Sequence, residues 1–229
     1  MLKAILFDVY GTLLDTGTGS VEAAAKILEQ AGRPDIPPKA FYARWKQLHR
    51  QHMAEASGGG RPGGFRNEEA IYHLDLRALY REYAINSDPD QDVGIMLATL
   101  GNRTPYPETG EVLGRLSPKV QVCIASITDT EPLQRDLGRA GLKPHKIYTS
   151  EGLGYYKPDP AFYTAILGGL GLQPQEALFV GDSLLCDVQG PQAVGIPACW
   201  VNRRGADPGA AAPDYTVADL WGLLPLVGA

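Results

Sequence analysis

Polar side chains that could bind an anion and a cation follow four short apolar or mixed segments of this sequence. They are Asp8 and Thr12, Ser126 and Thr128, Lys157, and Asp182 and Asp187. A carboxylate at the carboxyl end of a buried parallel strand lies where open α/β sheets bind their ligands. Each of these residues alone would also suit a turn, a helix cap or a solvated loop. These residues would form a binding site only if the fold brings them together at the same edge of one sheet.

The segments that must position these residues alternate between strand and helix patterns. Strand patterns cover residues 2–7, 120–125, 146–149, 177–180 and 198–201. Helical patterns cover residues 108–116, 131–140, 185–194 and 218–224, and Pro160 suits the first position of a further helix. Such alternation predicts an α/β fold, in which a Rossmann-like parallel sheet has helices on both faces.

The stretch after the first strand differs, because residues 16–100 contain only helical patterns. These cover residues 21–31, 39–56, 67–83 and 89–100. Residues 57–64 hold five glycines and a proline, which predicts a loop. We therefore predict a core formed by residues 1–15 and 101–229 and an inserted, small all-helical cap formed by residues 16–100.

Composition and charge narrow the class of partner. The net charge is -5 and no basic stripe is present, which argues against a nucleic acid or an anionic membrane as partner. The three cysteines are widely spaced and form no CxxC pair, so we expect reduced thiols. With no signal-peptide pattern and no apolar run that could span a bilayer, we expect a cytoplasmic protein. Its expected partner is a small anionic substrate, and its expected state is a monomer or a homodimer.

Four motifs of this sequence resemble those of the haloacid dehalogenase superfamily and come in the same order. Asp8-Val9-Tyr10-Gly11-Thr12-Leu13 looks like motif one, and Ile124-Ala125-Ser126 looks like motif two. Lys157-Pro158-Asp159-Pro160 looks like motif three, and Val180-Gly181-Asp182-Ser183, followed by Asp187, looks like motif four. The helical insert is similar to the small cap of that superfamily.

This resemblance implies a role for each matching residue. Asp8 would be the nucleophile of an aspartyl ester that water then hydrolyses. Lys157 would keep Asp8 ionised and stabilise negative charge in the transition state. Ser126 and Thr12 would donate hydrogen bonds to the anionic group of the substrate, and Thr128 would join Ser126 in binding it.

Asp182 decides whether a metal is expected. Asp8 and Asp182 should converge, and two unpaired carboxylates would raise each other's pKa and weaken the nucleophile. A divalent cation with oxygen ligands removes that conflict, which predicts Mg²⁺. The resemblance implies Asp8, Asp182 and the main-chain carbonyl of Tyr10 as ligands, with Asp187 as an outer ligand or an orienting group.

Tyr10 departs from the phosphatase pattern, which usually has a second aspartate at this position as general acid and base. Residues two apart on a strand point the same way, so Tyr10 is expected near Asp8 as a candidate catalytic residue. Its ordinary pKa near 10 makes it a poor base at neutral pH. Either the substrate needs no general acid, or another group supplies it.

The motif DVYGTL resembles that of the 2-haloacid dehalogenase branch, in which a halide leaves without a proton. Arg44, before Lys46-Gln47-Leu48, resembles the arginine that binds the substrate there, or it is an arginine lying over apolar surface. Asp182 points the other way, because dehalogenases have small neutral residues in motif four and use no metal. Ile127 also stands where dehalogenases usually have Asn.

Three hypotheses remain open, in this order. The first is a Mg²⁺-dependent phosphohydrolase, the second a metal-free 2-haloacid dehalogenase, and the third a binding module that keeps the fold without turnover. A separate pair, His49 and His52, has a spacing that could bind metal. No third ligand is apparent, so these histidines are interpreted as a polar helix edge.

Overall fold

A computed structural model describes residues 1–57, 64–99 and 103–228. Its strands are β1 (Ala4–Phe7), β2 (Leu14–Asp15), β3 (Thr104–Pro105), β4 (Gln121–Ser126), β5 (Lys146–Thr149), β6 (Ala177–Gly181), β7 (Ala198–Val201) and β8 (Tyr215–Val217). Its α-helices are α1 (Gly19–Gln30), α2 (Pro38–Ala56), α3 (Glu68–Glu82), α4 (Pro89–Leu97), α5 (Thr109–Leu116), α6 (Thr130–Arg139), α7 (Ser150–Leu153), α8 (Pro160–Leu170) and α9 (Gly190–Gln192). Most of the predicted loop, residues 58–63, and the predicted helix end at residue 100 lie outside the described residues.

The main sheet has six parallel strands in the order β5-β4-β1-β6-β7-β8. This confirms the predicted α/β, Rossmann-like class. Strand β1 lies in the centre because all four of its side chains are buried, as a strand covered on both faces requires. From β1 the chain adds strands on one side and then crosses to β6 on the other. The crevice between β1 and β6 is therefore the place where such a sheet binds ligands.

Each face of the sheet has its own hydrophobic cluster. Ile5 and Phe7 point to the face that α5 and α6 cover, whereas Leu6 points to the opposite face, where Phe162 and Ile166 of α8 pack. This alternation follows from the two-residue period of a strand. Helices on both faces hold β1 and the residues that follow it in a fixed position.

Helices α1–α4 form a helical block between β1 and β4, with a separate hydrophobic cluster. The side chain of Asn67 accepts a hydrogen bond from the Ala70 amide and so begins α3, and Asp88 begins α4 in the same way. The boundaries at residues 15/16 and 100/101 stay predictions. Within the described ranges, no helix combines the length and apolar character needed to cross a bilayer.

Three short strands were not predicted. Strands β2 and β3 have two residues each and pair antiparallel beside the helical block, and β8 has three residues, two of them exposed. None is long enough to show an alternating pattern. Two predicted helices also differ from the structure. The tail at residues 218–224 forms a 3₁₀ turn, Leu220–Leu223, and the segment at 185–194 contains a π-helix, Leu184–Gln189, before α9.

The π-helix has a local cause. The Gly190 amide donates to the Leu185 carbonyl, one residue farther back than in an α-helix. The Cys186 carbonyl accepts a hydrogen bond from the Tyr163 hydroxyl instead. Pro191 has no amide hydrogen that could restore the α-helical pattern. This wider turn begins two residues after Asp182 and contains Asp187.

Candidate active site

Asp8 and Asp182 lie side by side at the carboxyl edge of the sheet. Asp8 follows β1, its amide donates to the Val180 carbonyl at 2.9 Å, and Asp182 follows the adjacent strand β6. The chain leaves β1 through Gly11, which has a φ of 94°. A Cβ atom at Gly11 would lie 2.5 Å from a carboxylate oxygen of Asp182, so a side chain there would displace the second aspartate.

Lys157 brings two of the predicted residues together. Its Nζ donates to Oδ1 of Asp8 and to Oδ1 of Asp187, each at 2.7 Å, and only 1% of its side chain is exposed. The ammonium also lies 5.2 Å from the centre of the Phe179 ring. Burial would lower the pKa of Lys157, but Asp187 and Asp8 outweigh it and hold that pKa well above its usual value. Lys157 is therefore charged and keeps one oxygen of Asp8 fixed.

Asp187 is the buried partner of Lys157. Its second oxygen accepts a hydrogen bond from the Ser183 amide at 2.9 Å, and Gly181 leaves space for its carboxyl group. Burial raises the pKa of Asp187, and the Lys157 ammonium opposes that shift. Because both oxygens already accept hydrogen bonds, the structure gives Asp187 a positioning contact with the lysine.

Asp182 is the exposed acid of this group, which we call the carboxylate cluster: Asp8, Asp182, Asp187 and Lys157. One oxygen from each aspartate lies within 4.8 Å of the others. Across residues 1–57, 64–99 and 103–228, no other group of three or more His, Cys, Asp or Glu side chains has this spacing. Although Asp182 borders open space, the protein around it removes part of its hydration, and this desolvation, followed by the charge of Asp8, raises the pKa of Asp182 to about 6. Three carboxylates facing one ammonium leave an excess of negative charge that a cation would balance.

Two predicted hydrogen-bond donors lie buried near this edge. Ser126 ends β4, the other neighbour of β1, and its Oγ accepts a long hydrogen bond of 3.4 Å from the Thr128 amide. Its hydroxyl hydrogen remains available for an acceptor. The Thr12 hydroxyl is buried and has no partner among the described residues. A buried hydroxyl without a partner is unusual and would gain from an added acceptor.

A sequence model of haloacid dehalogenase-like hydrolases matches residues 2–195. The chain belongs to this family. The resemblance inferred from the four motifs is thereby confirmed, and so is the broad class of hydrolase.

Relatives of this hydrolase carry different activities in their names. A phosphoserine phosphatase of Thermus thermophilus is 30% identical, and the match covers 96% of each chain. An (S)-2-haloacid dehalogenase of Xanthobacter autotrophicus is 29% identical over 89% of this chain and 76% of that protein. Among solved structures, L-2-haloacid dehalogenase from Xanthobacter autotrophicus matches with a TM-score of 0.79 and 22% identity, covering 100% of this chain and 99% of that one. At that identity the structural likeness supports the fold.

The Tyr10 hydroxyl has a partner that strand alternation did not predict. It donates to Oδ2 of Asp136 on α6 at 2.9 Å, and Asp136 also accepts from the Arg103 amide. Strand β1 ends at Phe7, so the two-residue alternation that placed Tyr10 beside Asp8 no longer applies. Burial, with the charge of Asp136 added, raises the pKa of Tyr10 far above its ordinary value. In this structure the Tyr10 hydroxyl hydrogen is bound by Asp136, so the geometry gives no support to Tyr10 as the missing acid or base.

Arg44 also lies away from the carboxylate cluster, contrary to expectation. Its Nε donates to both carboxylate oxygens of Glu82 at 2.9 Å, and its Nη1 donates to Gln47. Glu82 ends α3, and that 15-residue helix separates it by about 21 Å from Glu68 at the end next to motif two. Helical phase predicted the face of α2 but could not reveal a neutralising partner on another helix.

Thr128 contacts the helical block, which leaves its hydroxyl hydrogen unavailable to a substrate. The hydroxyl donates to Glu68, the first residue of α3. In return, the Asp129 carboxylate accepts from the amides of Glu68 and Glu69 at 2.9 and 3.2 Å. This reciprocal contact joins the loop after Ser126 to α3. Sequence reasoning missed both Glu68 and Asp129, because the pairing joins residues 60 positions apart.

The two histidines of α2 bind a buried carboxylate. Asp75 is fully buried and pairs with Nδ1 of His49 at 2.7 Å and Nδ1 of His52 at 2.6 Å, and it accepts from Trp45 Nε1 at 3.0 Å. His49 Nε2 lies 3.7 Å from Glu68. Burial would lower the pKa of His49, but the hydrogen bonds with Asp75 and Glu68 raise it to about 9. We call Trp45, His49, His52, Glu68 and Asp75 the cap network.

An apolar contact between the helical block and the core closes the side of the site next to Ser126. Ile127, directly after Ser126, packs against a buried cluster that joins the helical block to the core. Its other members are Met53, Ala56, Phe65, Ile71 and Tyr156. On the opposite side, beside Asp182, lies a cavity of about 380 Å³. Open space therefore adjoins the exposed acid.

Proposed function

We propose that this hydrolase cleaves phosphate monoesters of small molecules with the help of Mg²⁺, through an aspartyl-phosphate on Asp8. Asp182 is the observation that carries the proposal. An exposed carboxylate beside the nucleophile would repel the carboxylate of a 2-haloacid. If a cation were bound to Asp182, it would offset the negative charge of this edge, and the edge would then attract a phosphate group. The named activity of the Thermus thermophilus relative supports this choice.

The donor set fits Mg²⁺, which prefers oxygen ligands and binds through one or two carboxylates together with substrate phosphate. Asp8 and Asp182 would hold the ion, and Asp187 would remain the partner of Lys157. The Tyr10 carbonyl, expected from the motif, stays a predicted ligand. When bound, the ion would neutralise charge between the two carboxylates and on the phosphoryl oxygens.

The residues of the chain would perform two displacements. In the first, the Asp8 oxygen that does not contact Lys157 attacks phosphorus, and the bond to the ester oxygen breaks, leaving an aspartyl-phosphate and an alkoxide. Lys157 holds the other oxygen of Asp8 and supplies positive charge beside the reacting group, while Ser126 and Thr12 donate to the phosphoryl group. In the second, water attacks phosphorus and the bond from phosphorus to the Asp8 oxygen breaks, which releases inorganic phosphate and restores the Asp8 carboxylate. The proton that the water loses neutralises the alkoxide left by the first step. Because Tyr10 is bound to Asp136, substrates whose leaving group needs little protonation should react best.

Haloacid dehalogenase activity is the second candidate, and Tyr10 is the observation that favours it. A halide needs no proton on departure, so losing the acid at this position would not slow that reaction. The named activity of the Xanthobacter autotrophicus relative points the same way. Asp182 separates the two candidates, since only the phosphohydrolase would use it to bind a metal.

Release of nitrophenol from p-nitrophenyl phosphate, with Mg²⁺ and with a chelator, tests the proposal beside halide release from 2-chloropropionate. We expect Mg²⁺-dependent nitrophenol release and no halide release. Asp8→Asn, a matched change that removes the nucleophile, should lower kcat at least about a thousandfold. Halide release that survives the chelator would instead establish the dehalogenase. Ligand binding without turnover of either compound would favour the binding module.

A further inference from the structure

The cavity beside Asp182 is the space where the alcohol part of a substrate could lie. The apolar cluster around Ile127 fills the contact between the helical block and the core on the motif-two side. The cavity lies on the other side, between the loop after β7 and the two connections to the helical block. Asp182, Thr16, Tyr106, Asn202, Arg203 and Arg204 are among its lining residues.

Arg203 fixes the position of the loop after β7. Its Nη1 pairs with Glu108 at 2.7 Å, its Nη2 donates to the Thr12 carbonyl at 2.8 Å, and its guanidinium stacks 3.6 Å from the centre of the Tyr106 ring. These contacts neutralise Arg203 and tie its loop to motif one. They also place the next residue, Arg204, at the cavity.

Arg204 is exposed and makes no ion pair or side-chain hydrogen bond with any residue that the structure describes. Arg204 and Asp182 line the same cavity, so the guanidinium lies on the side of the carboxylate cluster that faces open space. A guanidinium offers parallel N–H donors that match the two oxygens of a carboxylate. Arg204 is thus a cation at the cavity whose guanidinium makes no direct ion pair within the described part of the chain.

We propose that Arg204 binds a carboxylate on the alcohol part of the substrate and so selects phosphate monoesters of small hydroxy acids. One unpaired guanidinium matches the single charge of a carboxylate. A second phosphate group would require another free cation, and Glu108 already neutralises Arg203. This inference rests on the proposed phosphohydrolase function. It assigns to the loop after β7 the anion-binding role that Arg44 was expected to have.

The test compares 2-phosphoglycolate with its neutral amide, which has nearly the same size and lacks the carboxylate charge. We expect the wild-type enzyme to prefer the acid by about tenfold to a hundredfold in kcat/KM, mainly through KM. Arg204→Gln should reduce this preference to near one. Arg115→Gln removes an exposed arginine that pairs with Glu111 on α5, and it should keep the preference of the wild-type enzyme.

The outcomes separate this inference from the function on which it rests. Hydrolysis of p-nitrophenyl phosphate without any preference for the acid would overturn the role of Arg204 alone. An unchanged preference in Arg204→Gln, with both substrates slowed equally, would also overturn it, because Arg204 would then act on the reacting phosphoryl group. If no phosphate ester is hydrolysed, the phosphohydrolase proposal fails and the role of Arg204 falls with it.

Discussion

The sheet edge and the helical block each contain a group of acids and bases, but the two groups differ in how their carboxylates are paired. In the cap network, His49, His52 and Trp45 surround Asp75, and Glu68 contacts His49 and Thr128. At the sheet edge, Lys157 pairs with Asp8 and Asp187, and Asp182 remains exposed beside them.

This difference separates a structural role from a reactive one. A buried carboxylate whose oxygens are satisfied by its own chain has nothing left to offer a ligand. An acid that adds unbalanced negative charge beside other carboxylates and faces a cavity can gain a cation or a substrate. Similar residue types therefore stabilise the helical block in one place and form the candidate active site in the other.

Loss of the charge at Asp75 should have the largest effect on stability. Asp75→Asn removes the nearer of the two buried acids that face His49 and leaves only Glu68, and we expect the free energy of unfolding to fall by about 3–5 kcal/mol. Asp90→Asn is the matched control, because Asp90 also pairs with a histidine, His73, at 2.7 Å but has a 43% exposed side chain. Its loss should be below about 1 kcal/mol. Urea unfolding of the two variants measures both values, and equal losses would contradict a structural role for the cap network.

The pKa of His49 predicts a smaller, pH-dependent effect. Because folding raises this pKa from 6.5 to about 9, the contribution of His49 is complete below pH 6.5 and is lost as the pH rises through 9. We expect a decrease on the order of 2–3 kcal/mol in the free energy of unfolding across that range. His49→Gln should remove this decrease, whereas His73→Gln on the surface should retain it. An identical pH profile in wild type and His49→Gln would refute the assignment.

The local sequence pattern was sufficient to predict which residues lie at the strand ends of the sheet edge. Asp8, Asp182 and Ser126 each end or follow a buried apolar strand, and the structure brings those strands together as neighbours. Tyr10 could not be placed in the same way, because strand periodicity applies only while the strand continues. Strand β8 follows a loop rich in alanine, glycine and proline, and its three residues are too few for a pattern.

Contacts between distant segments account for the remaining differences. Helical phase puts Arg44 on one face of α2, but its pairing with Glu82 depends on how α2 and α3 pack. In the same way, the sequence around Thr128 does not predict its contact with Glu68, and the sequence around Arg204 does not predict the cavity. Sequence reasoning could therefore predict the fold class and the strand ends, whereas the cap network and the surroundings of the site required the structure.

Calorimetric titration with Mg²⁺ tests most directly whether the exposed acid makes the sheet edge a cation site. We predict that the wild-type protein binds one Mg²⁺ and that Asp182→Asn weakens this binding by at least about tenfold. Asp90→Asn, which removes another exposed aspartate, should bind Mg²⁺ as the wild-type protein does. Equal binding by Asp182→Asn and wild type, or no binding by either, would contradict the central difference between the carboxylate cluster and the cap network.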